Sequence, residues 1–424
     1  MRADSKLKNK NFRLRGAPKR RSGATAPKLV SALLDWFAAN ARDLPWRRTR
    51  DPYAVWVSEI MLQQTQVKTV IPFWERWMKE LPTIEAAAKA DSAKIHKLWE
   101  GLGYYTRVRN LQKAAQVIVA ECRRRGNESQ TGNKLETPHV VSYNFPEKYE
   151  DVLALPGIGR YTAGAICSIA FNQPTPILDG NVIRVLTRLF GIGENPKEKE
   201  TNARLWKLAE ELVNCANERW GETPGEPVLA HQRQETTARE DARPTKDENC
   251  SHLNQSLMEL GALICTPRNP QCLVCPVKKL CVAFKENRVE ELPNLGKREA
   301  ATARHFIAFA IERDGRFLVQ QRPAGVVNAH LWEFPNAEVT GTKPDAVAVG
   351  KNVFGSAPAA AQPLCTVKHS ITRYRITLEA FRIHIKSVPP KIAGAWKTRA
   401  QMEALAFTSA HRKVLRVLTA RSGR

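Results

Sequence analysis

Long apolar runs are missing from this sequence, and acidic residues are scarce relative to basic ones. No stretch approaches the roughly 20 apolar residues that a membrane-spanning helix needs, and no apolar h-region of a secretory signal is present. We therefore expect a cytoplasmic protein that does not insert into a membrane. The chain of 424 residues has 66 Lys and Arg against 42 Asp and Glu. Its net charge of +24 indicates a polyanionic partner, nucleic acid first among them.

The positive charge is densest at the start of the chain. The first 25 residues hold nine Lys or Arg and one acid. We interpret residues 1–26 as a disordered basic arm able to touch phosphates, in preference to an import presequence.

Nine cysteines are present, and they fall into two groups. Five are scattered along the chain, and four lie in one short loop: Cys265, Cys272, Cys275 and Cys281. Without a secretory signal, this distribution is typical of a reducing compartment, so the loop predicts a metal centre and not disulfides. Its spacing, C-x6-C-x2-C-x5-C, allows four thiolates to hold either zinc or an iron–sulfur cluster.

Apolar residues recur at helical spacing across residues 27–284, which predicts a helical body. Helices are expected at about 29–37, 53–66, 108–125, 201–219 and 251–264, with two more separated by Pro72 and Pro82. Two polar, aperiodic stretches interrupt the pattern, and we interpret them as disordered surface insertions: residues 126–144 and 221–249.

After a linker at residues 285–303, the apolar period changes from that of a helix to that of a strand. Two strands surround Asp314-Gly315, which is a strong hairpin signal. Residues 373–385 alternate with one slip, which predicts a bulge in a further strand, and a closing helix is expected from about Thr408. The fold class is therefore a mostly α-helical body followed by an α+β domain at residues 304–424.

The stretch at residues 155–184 organises the helical body. Gly157 and Gly159 form a tight turn before a helix of small residues, which directs backbone N–H groups at one point and suits a phosphate. Asp179 follows in a second turn. Taken alone, this is a helical corner with an Asp cap.

Glu59 is the candidate partner of Asp179. A single Glu on a helix is most often solvated, but the neighbours of Glu59 are apolar and burial would keep it protonated near neutral pH. A buried Glu paired with an ionised Asp is the arrangement that cleaves glycosidic bonds.

Four blocks of sequence resemble the MutY-type adenine DNA glycosylases of the helix–hairpin–helix, Gly/Pro-Asp superfamily. They are SEIMLQQTQV, EGLGYYTRVRNL, LPGIGRYTAGAI and LDGNVIRVLTRL, in the family's order and spacing. The cysteine loop resembles the four-iron four-sulfur loop of the same enzymes and of endonuclease III. This resemblance implies one 4Fe-4S cluster. Arg268 lies on the same loop, and a cation on a loop stiffened by a metal centre suits contact with DNA phosphates.

The resemblance also implies a role for each site residue. Glu59 is the general acid toward adenine N7, and Asp179 stabilises, or transiently traps, the positively charged sugar. Tyr161 and Asn181 flank the site. Gln64 and Tyr104 enter the base stack where adenine is flipped out.

Tyr161 distinguishes between subfamilies. In the bifunctional relatives a lysine at this position attacks the sugar and forms a Schiff base, which a phenol cannot do. We therefore expect a monofunctional enzyme.

The C-terminal stretches Gln320–Pro323 and Leu331–Pro335 resemble the Nudix-related domain that reads 8-oxoguanine in MutY-type proteins. The acidic helix of a true Nudix hydrolase does not follow Phe334, which predicts a reader and not a pyrophosphatase. The family's Phe-Ser-His recognition loop, aligned on Tyr374, falls on Val367–His369. Only His369 matches, with Ser370 beside it, and an ordinary strand histidine is the alternative.

The sequence therefore predicts an enzyme that removes adenine mispaired with 8-oxoguanine or guanine in duplex DNA. We expect a monomer that associates with the bacterial nucleoid. Two alternatives remain at this stage: another mismatch or oxidised-base glycosylase of the same superfamily, and a non-catalytic iron–sulfur DNA-binding protein.

Overall fold

A computed structural model of the chain describes residues 25–129, 145–218, 248–297, 299–340, 345–355, 357–371, 373–385 and 393–420. Nearly all of the predicted basic arm and most of both predicted insertions lie outside the described residues. Within the described residues, no helix is long and apolar enough to cross a membrane.

The first part of the chain is helical. Its helices are α1 (Ala26–Asn40), α2 (Pro52–Leu62), α3 (Val67–Glu80), α4 (Ile84–Lys89), α5 (Ser92–Leu98), α6 (Thr106–Ser129), α7 (Tyr149–Leu153), α8 (Arg160–Phe171), α9 (Gly180–Phe190), α10 (Lys199–Glu218), α11 (Asn249–Leu263) and α12 (Val282–Lys285). They pack around two apolar cores. One core is built on α2–α6 and contains Trp56, Trp77 and Trp99, and the other joins α1 to α9, α10 and α11. Helix α8 contributes to both cores, so the two halves meet along it.

Helix α2 differs from its prediction at its end. It begins after Asp51, whose carboxylate accepts hydrogen bonds from the N–H groups of Tyr53 and Ala54. The predicted helix to residue 66 is too long, because α2 ends at Leu62 and Gln64 takes a left-handed backbone conformation with φ of 58°.

Two other helix boundaries also differ from the sequence prediction. The predicted break at Pro72 is wrong, because Pro72 lies inside α3. Burial of Val70, Trp74 and Trp77 on one face of α3 offsets the hydrogen bond that proline cannot make. Helix α6 continues to Ser129, so residues 126–129 of the first predicted insertion are helical.

The second part of the chain is built on a mixed sheet. Its elements are β1 (Thr302–Arg313), β2 (Arg316–Gln321), β3 (Trp332–Glu333), β4 (Asn336–Val339), α13 (Ala346–Phe354), β5 (Gln362–Ile371), β6 (Tyr374–His384), β7 (Ala395–Lys397), α14 (Arg399–Ala404) and α15 (Ser409–Ala420). The strand order is β3-β2-β1-β6-β5, with β4 beside β1 and β7 beside β2. Strands β1 and β6 are parallel, and apolar residues cover both faces of the sheet. The predicted hairpin around Asp314-Gly315 is confirmed by the antiparallel pairing of β1 with β2.

Two predictions for the last strands are wrong. The register shift that the slip indicated lies in β5, between Pro363 and Cys365, and not in β6. Val367, Lys368 and His369 do not form a loop, because they lie within β5 and pair with β6. The alternation of exposed and buried residues along β5 is that of an edge strand with one face packed on the domain core.

Candidate active site

Glu59 lies in the middle of α2 and is 4% exposed. The Tyr161 hydroxyl, on the first turn of α8, donates a hydrogen bond of 2.7 Å to Glu59 Oε2. Burial raises the pKa of Glu59 to about 7, against the opposing effect of the Tyr161 hydrogen bond and with a further increase from the charge of Asp179. Glu59 therefore keeps its proton to a higher pH than an exposed glutamate does.

Asp179 is the N-cap of α9. Its Oδ1 accepts a hydrogen bond of 2.7 Å from the Val182 N–H, and its Oδ2 accepts one of 2.9 Å from the Asn181 side chain. Burial raises the pKa of Asp179, and these donors together with the nearby Arg184 act in the opposite direction. Donors fixed on the carboxylate stabilise its ionised form.

One cavity of about 660 Å³ brings the predicted residues together. Its lining includes Glu59, Gln64, Gly157, Gly159, Tyr161, Asp179 and Asn181. The volume lies in the range typical of small-molecule sites and suffices for an extruded base with its sugar. Glu59 of α2 and Asp179 at the start of α9 thus line one cavity.

Three charged residues of this cavity were missed by the sequence analysis. Glu259 of α11 is 1% exposed and accepts hydrogen bonds of 2.7 Å from both Arg42 Nε and Arg42 Nη2. Arg47 Nη2 donates a further bond of 3.1 Å to the same carboxylate. Burial alone would raise the pKa of Glu259, but the two arginines lower it to about 2. The one sign of these residues in the sequence is the Trp46-Arg47 pair beside Pro45, and that pair by itself indicates only a loop.

Gln64 and Tyr104 lie on two neighbouring turns, both in the left-handed conformation, with φ of 58° and 47°. Gln64 lines the cavity, whereas Tyr104 does not and is 41% exposed. Arg107 joins the two turns, because its guanidinium donates to the carbonyl oxygens of Gln63 and Gly103 and stacks 5.6 Å from the centre of the Tyr104 ring.

Gly157 and Gly159 form the turn that precedes α8. Gly157 has φ of +76°, and a Cβ at this position would lie 2.4 Å from Asn110 Cβ. Only glycine fits this turn without displacing α6.

The four loop cysteines surround one small, apolar space. Cys265, Cys272, Cys275 and Cys281 line it together with side chains of α9 and α11. Arg188 of α9 donates a hydrogen bond of 3.4 Å to Cys265 Sγ. A set of four sulfur donors beside a buried cation matches the chemistry of an iron–sulfur cluster. In the part of the chain that the structure describes, no three His, Cys, Asp or Glu side chains are arranged to hold a metal ion on their own.

The remaining predicted DNA contacts lie elsewhere. Arg268, His369 and Ser370 are described by the structure, and none of the three lines the cavity. His369 is half-buried in β5, and its Nδ1 has no hydrogen-bond partner among the described residues.

Three family profiles match separate parts of the chain. Residues 57–211 match the HhH-GPD superfamily base excision DNA repair proteins, and residues 265–281 match the iron-sulfur binding domain of endonuclease III. Residues 307–417 match the NUDIX domain.

Individual relatives extend over most of the chain. The adenine DNA glycosylase of Rattus norvegicus is 33% identical over 91% of this chain and 77% of its own length. That of Homo sapiens is 32% identical over 91% of this chain and 73% of its own length. Among solved structures, a thermostable thymine-DNA glycosylase is 26% identical, with a TM-score of 0.46 over 62% of this chain and 97% of that chain.

The fold, the paired acids and the cysteine loop together define a class of protein. It is a base-excision DNA repair glycosylase with an iron–sulfur loop and a Nudix-like C-terminal domain. Within that class, the chain belongs to the adenine DNA glycosylase family.

Proposed function

We propose that this protein is a monofunctional glycosylase that hydrolyses the N-glycosidic bond of adenine mispaired with 8-oxoguanine or guanine. The observation that carries the proposal is the meeting of Glu59 and Asp179 in one cavity, with a pKa of about 7 for Glu59. The match to adenine DNA glycosylases over nine-tenths of the chain supports adenine as the base.

Glu59 acts first, as the general acid. Its proton passes to N7 of the flipped adenine, which makes the base a better leaving group. The bond between the sugar C1′ and N9 then breaks, and its electron pair stays on the base. Leu44 and Trp46 give the cavity in which this step takes place an apolar wall.

Asp179 acts on the sugar. Departure of the base leaves positive charge on the sugar, and the ionised carboxylate stabilises this charge across the cavity. The hydrogen bonds from Val182 and Asn181 hold the carboxylate in place throughout the reaction. Water then adds its oxygen to C1′ and gives up a proton to the Glu59 carboxylate, which completes the hydrolysis and restores the acid.

Tyr161 supports the monofunctional assignment. Its hydroxyl is engaged with Glu59, and burial raises the pKa of the Tyr161 phenol well above its ordinary value. Neither a phenol nor its neighbours Arg160 and Thr162 can form an imine with the sugar.

We further propose that the four loop cysteines hold one 4Fe-4S cluster. The cluster would stiffen the loop and orient Arg268 toward DNA phosphates, while taking no part in hydrolysis.

The C-terminal domain would read the base opposite adenine, with His369 and Ser370 as candidate contacts. Gln64 and Tyr104 would fill the space in the stack that the flipped adenine leaves. We also propose that the protein is a monomer that acts on nucleoid DNA.

An excision assay tests the proposal. Purified protein is given duplexes that carry adenine opposite 8-oxoguanine, adenine opposite guanine, and thymine opposite guanine, and the released bases are measured. We expect adenine release from the first two duplexes. Release of thymine alone would show a different mismatch glycosylase, and tight binding without release would show a non-catalytic protein.

Borohydride trapping on the same duplexes tests the monofunctional assignment. The wild-type protein should form no stable cross-link to DNA, because the position that carries lysine in bifunctional relatives is Tyr161. Efficient cross-linking by the wild-type protein would contradict this assignment.

A further inference from the structure

A buried ion pair joins the C-terminal domain, from Thr302 onward, to the helical part of the molecule. Arg412, on the first turn of α15, donates hydrogen bonds of 2.6 Å and 2.7 Å to the two carboxylate oxygens of Glu100. The side chains are 10% and 12% exposed. A bidentate pair shielded from water is a geometrically specific contact, unlike an ion pair at the surface.

Other contacts surround this pair and complete its hydrogen bonding. The Phe407 N–H donates a bond of 2.8 Å to Glu100 Oε1, and Lys97 Nζ donates one of 2.9 Å to Glu100 Oε2. Lys97 also donates to the carbonyl oxygen of Leu405, at the end of α14. Leu331 and Ala406 of the C-terminal domain are buried in the same apolar core as helices α2–α6. The two parts of the molecule are therefore packed against each other at this point.

Glu100 is the residue immediately before the turn that presents Tyr104. The turn contains Gly101 and Gly103, with φ of +115° and +68°, and Tyr104 itself, with φ of +47°. A left-handed tyrosine is uncommon, and such a conformation persists only where the surrounding structure holds it.

Support for this turn comes from two sides. Within the helical part, Arg107 donates hydrogen bonds of 3.0 Å and 3.2 Å to the carbonyl oxygens of Leu102 and Gly103 in this turn. From the C-terminal domain, Arg412 anchors the carboxylate of Glu100, the residue that precedes the turn. A continuous set of contacts thus leads from α15 through Glu100 and the Tyr104 turn to Arg107, and from Arg107 to the Gln64 turn.

We propose that Arg412 is a positioning residue for the Tyr104 turn: through Glu100, the C-terminal domain fixes a DNA-contacting element of the helical part. The consequence for the reaction rests on the proposed function, in which Tyr104 enters the base stack. The domain that reads the opposite base and the side chain that occupies the stack would then meet the duplex in one fixed relative position.

Amide hydrogen exchange tests the positioning without any substrate. In the full-length Arg412→Gln protein, exchange of residues 101–107 should accelerate about tenfold or more, because local opening is no longer opposed by the ion pair. The matched control is Arg382→Gln, which removes an arginine–glutamate pair with Glu312 inside the C-terminal sheet. This control should leave residues 101–107 unchanged. Exchange that stays at the wild-type rate in both Arg412→Gln and Glu100→Gln would overturn the proposal.

A general loss of stability is recognised in the same experiment. Exchange in α8 and α9, which carry Tyr161 and Asn181, should remain near its wild-type rate in Arg412→Gln. Acceleration of equal size in these helices would mean that Arg412 merely stabilises the fold, and would also overturn the proposal. Arg412→Lys, which keeps the charge, should restore part of the protection.

The consequence for the reaction is measured separately. Single-turnover release of adenine opposite 8-oxoguanine should slow by about tenfold in Arg412→Gln, because a displaced positioning element costs rate, and should stay within about twofold in Arg382→Gln. Faster exchange with unchanged excision would refute this consequence. If the wild-type protein releases no adenine at all, the proposed function fails, and the exchange measurement still decides the role of Arg412.

Discussion

At the scale of single residues, local hydrogen bonding gives two carboxyl groups different tasks. Glu59 accepts a hydrogen bond from a neutral phenol, and burial raises its pKa to about 7. Asp179 accepts from the first turn of α9 and from the Asn181 amide, which favour the ionised form. One group is thus suited to give a proton, and the other is suited to stabilise a cation.

Replacing Tyr161 by Phe should change the pH dependence of excision. The Tyr161 hydrogen bond lowers the pKa of Glu59, so its removal raises that pKa further. Because the protonated acid is the active form, the wild-type rate should fall by about tenfold per pH unit above about pH 7. In Tyr161→Phe the falling limb should move to higher pH.

Single-turnover rates between pH 5 and pH 9 measure this shift. Tyr374→Phe, in strand β6 of the C-terminal domain, is the control, and its falling limb should stay at the wild-type pH. A falling limb that does not move in Tyr161→Phe, or that moves to lower pH, would contradict the assignment of the proton to Glu59.

Chemistry at this scale was only partly predictable from sequence. Glu59 could be singled out because its neighbours along α2 are apolar, which indicates burial. The contact of Arg42 with Glu259 could not be predicted, because it joins residues 217 positions apart in the chain. Each of these residues alone looks like a solvated surface charge, and only packing of the loop after α1 against α11 brings them together.

At the scale of secondary-structure elements, the site depends on the close approach of α9 to α11. A Cβ at Gly261 would lie 2.7 Å from Asn181 Cβ, which is closer than real Cβ atoms come. Glycine at this position of α11 therefore allows Asn181, and through it Asp179, to take up its position in the cavity.

Gly261→Ala should slow excision by about 10²-fold, because a displacement of about 1 Å at reacting groups costs that much. Gly193→Ala is the control, because the one described atom that a Cβ there would approach is Arg288 Nη2, at the end of a long side chain and 3.1 Å away. Single-turnover rates measure both, with duplex affinity as a check that the fold is retained. A Gly261→Ala protein as fast as the control would show that the approach of α9 to α11 does not position Asn181.

Element type was easier to predict than element boundaries. The apolar period distinguished helices from strands on either side of residue 285. The continuation of α3 through Pro72 was missed, because tertiary burial of Trp74 and Trp77 outweighs the local preference of proline. The strand β5 was missed because its alternation is interrupted by the register shift at Pro363 and Cys365.

At the scale of the whole molecule, the net charge governs binding to DNA, and an ion pair joins the C-terminal domain to the helical part. The net charge of +24 predicts binding to duplex DNA that weakens steeply with salt. The two-part organisation was visible in the sequence as a change of period. The ion pair between Glu100 and Arg412 was not, because it joins residues more than three hundred positions apart.

Removing residues 1–24 tests the role predicted for the basic arm. Affinity for duplex DNA should fall, and the plot of log affinity against log salt should flatten by about 0.9 for each phosphate that the arm neutralises in the full chain. Fluorescence anisotropy at several salt concentrations measures both, with the full chain as the reference. Identical slopes for the two proteins would show that the arm does not bind phosphates.

The central claim is that Glu59 delivers the proton that releases the base. The measurement that tests it most directly is single-turnover release of adenine opposite 8-oxoguanine by Glu59→Gln, beside its affinity for the same duplex. The account predicts that the rate falls by about 10²–10⁴-fold with nearly unchanged affinity, because the amide keeps the shape of the side chain and has no acidic proton. Release at the wild-type rate would contradict it.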